Sequence, residues 1–98
     1  MAITKQYLKS KPVCKVTFSV PAAEAEKVSV LGTFNKWGEE NALNLKKMKN
    51  GTFRGTVDLP KDSSHEFRYL IDETFVNDEQ ADAFNTNEFG GENAVLHL

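Results

Sequence analysis

The residues best suited to chemistry are a tryptophan and an arginine on neighbouring predicted strands. Trp37, the single tryptophan, follows a short apolar strand over residues 28–32. Arg68 lies in a strand over residues 67–72 whose large apolar residues alternate with polar ones, which places Arg68 on the outer face. An aromatic plane packs against the C–H face of a sugar ring, and a guanidinium donates hydrogen bonds to the surrounding hydroxyls. The pair therefore predicts a surface that holds a flat, polar molecule, and a sugar fits best.

Catalytic and metal chemistry receive little support from the sequence. Asp72, Asp78 and Asp82 fall in one turn-and-loop region, and a glycosidase needs two carboxyl groups flanking one bond. However, nothing in the sequence provides the pocket that would raise the pKa of one of them. His65 and His97 lie far apart without metal-ligand spacing. We predict a non-enzymatic chain without a metal or cofactor.

Length and composition limit the remaining classes of function. The 98 residues suit a single domain over residues 1–98 with a small core. The net charge of −2 lacks the basic excess of a nucleic-acid-binding protein. No apolar run has the length of a signal peptide or a membrane span, so we expect no membrane partner and a cytoplasmic location. Cys14 is the only cysteine and is interpreted as a small buried hydrophobic residue.

Most of the chain alternates in the manner of β-strands. Short strands at short spacing, without a long amphipathic helix, are typical of a β-sandwich. The alternation predicts strands over residues 14–20, 28–32, 43–48, 53–59, 67–72, 75–76 and 94–98.

The connections carry their own signals. The dipeptide Asn50-Gly51 predicts a two-residue hairpin turn, because both residues tolerate positive φ. Residues 22–27 are too short for a stable helix and predict a turn or loop. Residues 77–93 are polar and predict a long irregular loop, which we expect Phe84 to anchor to the body of the domain.

The motif V-x-V-x-G-x-F-N-x-W at residues 28–37 resembles the signature of the glycogen-binding, or isoamylase N-terminal-like, carbohydrate-binding domains. The resemblance continues through V-D-L-P at residues 57–60, H-E-F-R-Y-L-I-D at 65–72 and N-E-F-G-G-E-N at 87–93, and covers about residues 26–98. It implies an all-β, immunoglobulin-like (early-set) antiparallel β-sandwich of about seven strands. Such domains occur in glucan branching and debranching enzymes and in the β subunit of the AMP-activated kinase.

The resemblance also implies a site for an α-1,4-linked glucan. Trp37 stands where the family has its first sugar-stacking tryptophan, and Phe75 replaces the second. Arg68 replaces a lysine that bonds sugar hydroxyls, Phe89 replaces an aliphatic residue of the last loop, and Asn93 matches a hydroxyl-binding asparagine. A phenylalanine is a smaller platform than tryptophan, so we expect an affinity on the order of tens of micromolar to millimolar.

Each of these residues has a structural interpretation as well. Trp37 is alternatively a cap on the sandwich core, with Phe34 assigned to the core in either case. Arg68 is alternatively a cross-strand ion-pair partner. Asn93, beside Gly90-Gly91, is alternatively a turn-forming residue.

Two functions of different class follow. The first is a non-catalytic module that binds an α-glucan oligosaccharide or polysaccharide, such as glycogen or starch. The second is a protein-interaction or regulatory sandwich that keeps the fold and has lost sugar binding. The resemblance implies a glucan-metabolising enzyme or a regulatory protein as partner, whereas the charge and the lack of a long apolar run exclude nucleic acid and membrane from the expected partners.

Overall fold

A computed structural model describes residues 2–87 and 90–98. The described residues contain β-strands, two 3₁₀ helices and no α-helix. The strands are β1 (Ala2–Tyr7), β2 (Val13–Pro21), β3 (Val28–Gly32), β4 (Leu43–Asn44), β5 (Lys46–Lys47), β6 (Thr52–Pro60), β7 (Ser64–Ile71), β8 (Thr74–Val76), β9 (Ala83–Thr86) and β10 (Glu92–His97), and the 3₁₀ helices are Thr33–Asn35 and Glu39–Asn41. Neither helix in this part of the chain is long or apolar enough to cross a membrane.

The strands form two antiparallel sheets. One has the order β1-β2-β6-β5. The other has the order β4-β3-β7-β10-β9, and β8 also pairs with β7. The predicted all-β, immunoglobulin-like antiparallel sandwich is confirmed, although the chain divides into more strand segments than the seven expected.

The core lies between the two sheets and consists of alternate residues from facing strands. Cys14, Val16, Phe18 and Val20 of β2 are fully buried, as their alternation predicts. The ring of Phe18 lies 5.5 Å from that of Phe67, which extends the core to β7. Burial of side chains of this size stabilises the fold by about 1.5–3 kcal/mol each. Phe34, assigned to the core, is half-buried and packs against it.

Two edge strands, β1 and β9, were not predicted from the sequence. β1 pairs with β2 along its whole length, and β9 pairs with β10 inside the segment 77–93 that was expected to be irregular. Both have largely exposed side chains, so neither shows the hydrophobic alternation of a central strand. The expectation that Phe84 anchors this segment by burial is wrong, because the side chain is 41% exposed. The β9–β10 backbone ladder holds the segment in place instead.

The single strand expected over residues 43–48 is also wrong. β4 pairs with β3 in one sheet, whereas β5 pairs with β6 in the other. Leu45, between them, is buried and donates its backbone N–H to the carbonyl of Val28 at 2.9 Å. Gly55 leaves room for it, since a Cβ there would lie 2.5 Å from Leu45 Cδ2. Leu45 is therefore the point at which the chain changes sheets.

The hairpin between β5 and β6 differs from the predicted two-residue turn. Met48 N–H donates to the carbonyl of Thr52 at 2.8 Å, and Gly51 has positive φ (86°) whereas Asn50 does not. This is a three-residue loop with glycine at the left-handed position. Asn50 instead uses its side-chain oxygen to accept the N–H of Thr52 at 3.0 Å.

Candidate functional site

β7 is the strand on which the candidate site is built. β3 pairs with one edge of β7 from Phe67 to Ile71. Along the other edge, β10 pairs as far as Phe67 and β8 begins at Tyr69. Arg68 therefore lies at the junction where β10 gives way to β8. Because Phe67 and Tyr69 are buried in the core, Arg68 is on the opposite, outer face.

Trp37 is held by a set of short hydrogen bonds that we call the Asn35 clamp. Asn35 Oδ1 accepts the N–H of Gly32 at 2.9 Å, and its Nδ2 donates to the carbonyl of Val30 at 2.9 Å. The N–H of Trp37 donates to the carbonyl of Gly32 at 2.9 Å. Lys36 and Trp37 have positive φ angles of 57° and 58°, which non-glycine residues adopt rarely. The F-N-x-W spacing thus produces a locked turn with Trp37 at its end.

Gly32 permits this turn because β3 approaches β7 closely there. A Cβ at Gly32 would lie 2.4 Å from the carbonyl oxygen of Glu66 and 2.9 Å from Cβ of Phe67. No side chain fits without displacing one of the two strands. Gly32 therefore fixes the distance between the Trp37 turn and β7.

An open groove of about 660 Å³, which we call the β7 groove, lies on this outer face. It is lined by Trp37, Glu66, Arg68, Phe75, Thr86, Asn87 and Asn93. Four of the five predicted site residues are therefore brought together, from the Trp37 turn, β7, β8 and β10. The fifth, Phe89, lies outside the described residues.

Phe75 and Arg68 form a pair within the groove. Phe75 lies opposite Leu70 on β8 and is 44% exposed. The Arg68 guanidinium carbon lies over the Phe75 ring, 5.5 Å from its centroid, which is a cation–π contact. Arg68 Nε is buried without a hydrogen-bond partner, and Arg68 forms no ion pair with any described residue. The alternative interpretation of Arg68 as a cross-strand ion-pair partner is therefore not supported by the described residues.

Asn93 reaches the groove because of the register of β10. Ala94 lies opposite Phe67 at the end of the β10–β7 ladder, so Asn93 comes next on the side where Arg68 lies. Asn93 Nδ2 donates to Glu66 Oε1 at 3.3 Å, and Asn93 Oδ1 accepts from Asn87 Nδ2 at 3.3 Å. Asn93 thus connects β7 to the turn between β9 and β10.

The turn-forming asparagine is Asn87, not Asn93. Asn87 Oδ1 accepts the N–H of Gly91 at 3.0 Å, and the backbone N–H of Asn87 donates to the carbonyl of Gly91 at 2.8 Å. Asn87, Thr86 and Glu66 were not predicted as lining residues. Glu66 was predictable from the sequence, because it lies two residues before Arg68 and shares its face.

The three carboxylates considered for catalysis support loops and do not line the groove. Asp72 Oδ1 accepts two backbone N–H groups at 3.0 Å each, and Asp82 accepts from Lys5 Nζ at 2.7 Å. Asp78 is fully buried and accepts the hydroxyl of Tyr69 at 2.8 Å. Burial, together with this hydrogen bond and the charge of Asp78, raises the pKa of Tyr69 far above its ordinary value, so the hydroxyl remains a donor.

Comparison with known proteins identifies the family. Curated proteins give no match to this chain. The family described as the glycogen recognition site of AMP-activated protein kinase matches residues 15–98. The match contains the Asn35 clamp and every lining residue of the β7 groove. The chain belongs to this family of glycogen-recognition carbohydrate-binding domains.

Proposed function

We propose that this chain is a non-catalytic module that binds α-1,4-linked glucan, such as glycogen or starch, in the β7 groove. One observation carries the proposal: the fold brings Trp37, Phe75, Arg68 and Asn93 together around a single groove, although they come from separate elements. Two of these side chains are aromatic and two are polar, which is the combination that a sugar ring requires.

The groove offers a distinct contact to each part of a glucose unit. The rings of Trp37 and Phe75 provide planes for the C–H face of the sugar. Asn93 retains one N–H and one lone pair after its two internal bonds, and the terminal guanidinium nitrogens of Arg68 make no hydrogen bond to any described residue. A hydroxyl both donates and accepts, so it pairs with either residue.

The carboxylate inventory supports binding without catalysis. A glycosidase places two carboxyl groups on either side of the scissile bond. Among the described lining residues, Glu66 is the only carboxylate. An open groove of this kind also leaves much of the ligand in water, which favours a binding constant in the range of tens of micromolar to millimolar.

The test uses the single tryptophan as its own reporter. Titration with β-cyclodextrin or maltoheptaose should change Trp37 fluorescence with saturation below a few millimolar, and β-linked cellohexaose should not. Trp37→Ala should abolish retention on an amylose gel. Phe75→Ala should weaken retention, whereas its matched control Phe84→Ala should not, because Phe84 is similarly exposed but lies outside the groove.

Two outcomes would count against the proposal. Absence of a spectral change and of gel retention at millimolar sugar would remove the carbohydrate function and favour a protein-interaction domain. Retention that survives both Trp37→Ala and Arg68→Ala would place glucan binding elsewhere on the molecule.

A further inference from the structure

We propose that Glu66 is a ligand-binding residue of the β7 groove. Its carboxylate accepts hydrogen bonds from adjacent hydroxyl groups of the glucan and makes binding depend on free hydroxyl donors. This inference rests on the proposed function and adds a specificity-determining contact to it.

The position of Glu66 on β7 is the first observation. Residues 66 and 68 alternate with the buried Phe67, so Glu66 and Arg68 share the outer face of one strand. Both side chains are half-buried and both line the groove. A carboxylate and a guanidinium are thus presented side by side to the same ligand.

The second observation is that Glu66 has acceptor capacity left over. Its one side-chain hydrogen bond to a described residue is the 3.3 Å contact in which Oε1 accepts from Asn93 Nδ2. It forms no ion pair with Arg68, although the two residues are neighbours on one face; the ion pair of the described residues is Lys5–Asp82. An ionised carboxylate offers about four acceptor sites, so most of those on Glu66 are unused.

The chemistry of a glucose ring matches this arrangement. Neighbouring hydroxyls present two O–H donors at adjacent positions, and a carboxylate can accept both. Arg68 can donate to the oxygens of the same hydroxyls, because a guanidinium only donates. The rings of Trp37 and Phe75 contact C–H groups and do not distinguish a hydroxyl from a methyl ether. Glu66 is therefore the charged acceptor for the hydroxyl hydrogens, and Asn93 Oδ1 adds one neutral acceptor beside it.

The experiment combines two ligands with three forms of the protein. Dissociation constants for β-cyclodextrin and for its fully O-methylated derivative are measured by Trp37 fluorescence with the unmodified chain, Glu66→Ala and Glu66→Gln. Glu66→Ala should bind β-cyclodextrin about tenfold more weakly, the size expected for a hydrogen bond to a charged acceptor. Methylation should weaken binding strongly for the unmodified chain and much less for Glu66→Ala. Loss from the bulk of the methyl groups alone would affect the unmodified chain and Glu66→Gln equally, because Gln has the size of Glu.

Glu66→Gln separates ligand binding from the positioning of Asn93. Its amide oxygen can still accept from Asn93 Nδ2, but it lacks the charge, so binding of β-cyclodextrin should weaken several-fold. Glu73→Gln, in the turn before β8, is the charge-matched control and should bind like the unmodified chain. Thermal unfolding midpoints should show that all variants are folded.

Two results would overturn the inference while leaving the proposed function intact. One is unchanged binding of β-cyclodextrin by Glu66→Gln. The other is a methylation penalty as large in Glu66→Ala as in the unmodified chain. If the unmodified chain binds neither β-cyclodextrin nor maltoheptaose, the proposed function itself fails.

Discussion

The two walls of the β7 groove are held in place in different ways. The Trp37 wall is fixed by the three 2.9 Å hydrogen bonds of the Asn35 clamp and by the close packing of Gly32 against β7. In the asparagine wall, formed by Asn87 and Asn93 beside the β10–β7 ladder, a 3.3 Å contact joins the two amides and another joins Asn93 to Glu66 of β7. Asn35 bonds only to the backbone of β3 in these contacts, whereas the amides of Asn87 and Asn93 bond in part to other side chains.

This difference suggests a division of roles. A residue whose backbone is fixed before the ligand arrives loses less conformational freedom on binding. We therefore expect the Trp37 wall to decide whether a sugar binds at all. The asparagine wall has weaker internal bonds, so its amides can exchange partners with hydroxyls and adjust specificity. The following predictions test this comparison.

Gly32→Ala should have the largest effect. Its Cβ would lie 2.4 Å from a backbone oxygen of β7, so strand separation must increase, at a cost of about 3 kcal/mol in the free energy of unfolding. Binding should weaken by more than about tenfold because Trp37 moves. Gly38→Ala is the control, since the nearest atom to its Cβ would lie 3.7 Å away. Urea unfolding and Trp37 titration measure both quantities, and equal effects of the two variants would contradict the close-packing argument.

Asn35→Ala should have the next largest effect. It removes the acceptor for the N–H of Gly32 and the donor to the carbonyl of Val30, and should lower the free energy of unfolding by about 2 kcal/mol. Glucan binding should weaken about tenfold although Asn35 does not line the groove. Asn41→Ala, an exposed residue of the same connection, is the control. Unchanged binding in Asn35→Ala would mean that the clamp does not position Trp37.

Asn87→Ala should have a smaller effect, because it tests the weaker wall. Loss of the bond from Gly91 N–H and of the contact to Asn93 should cost about 1 kcal/mol of stability. Binding of maltoheptaose should weaken only about threefold. Asn85→Ala, on β9 and exposed, is the control. A loss of binding as large as that of Asn35→Ala would show that the two walls contribute equally.

Asp82→Asn should have the smallest effect and leave binding unchanged, because Asp82 ties β1 to the other sheet away from the groove. Partial burial raises the pKa of Asp82, but hydrogen bonds from Lys5 Nζ and His97 N–H outweigh it and hold the pKa below the ordinary 3.8. A carboxyl whose pKa is lower in the folded state stabilises the protein above its unfolded pKa. That stabilisation is lost as the pH falls through the folded pKa.

The exposure of the pair limits its contribution to about 0.5 kcal/mol. Urea unfolding should therefore show a small difference between Asp82→Asn and the unmodified chain at roughly pH 7, and none at roughly pH 2. Lys5→Met should reproduce this pH dependence. A difference that grows on acidification would contradict the sign of the shift.

The central strands were predictable because they alternate. β2 buries Cys14, Val16, Phe18 and Val20, β7 buries Phe67 and Tyr69, and this period of two is visible in the sequence without any partner. β1 and β9 lack such a pattern, since edge strands derive their stability from backbone ladders with a neighbour. The change of sheet at Leu45 was likewise hidden, because a continuous alternation does not reveal which sheet each residue joins.

Two phenylalanines also show that the sequence alone does not reveal which exposed residues share a site. Phe75 and Phe84 are both exposed phenylalanines in polar surroundings, and only Phe75 lines the groove. The family resemblance singled out Phe75, whereas Phe84, which was expected to anchor the segment 77–93 to the body of the domain, is exposed. Asp78, considered for catalysis, is buried against Tyr69, a pairing that no spacing in the sequence indicates.

The amino-acid sequence by itself determined the all-β class, the buried faces of β2 and β7, and the family to which the chain belongs. These properties follow from local periodicity and from a contiguous motif, and both depend only on residues that are close together in the sequence. Only the tertiary structure decided that Glu66 and Asn87 join Trp37, Arg68, Phe75 and Asn93 around one groove. That arrangement depends on the register of β10 and β8 against β7, and strand register is fixed by the packing of the whole sandwich.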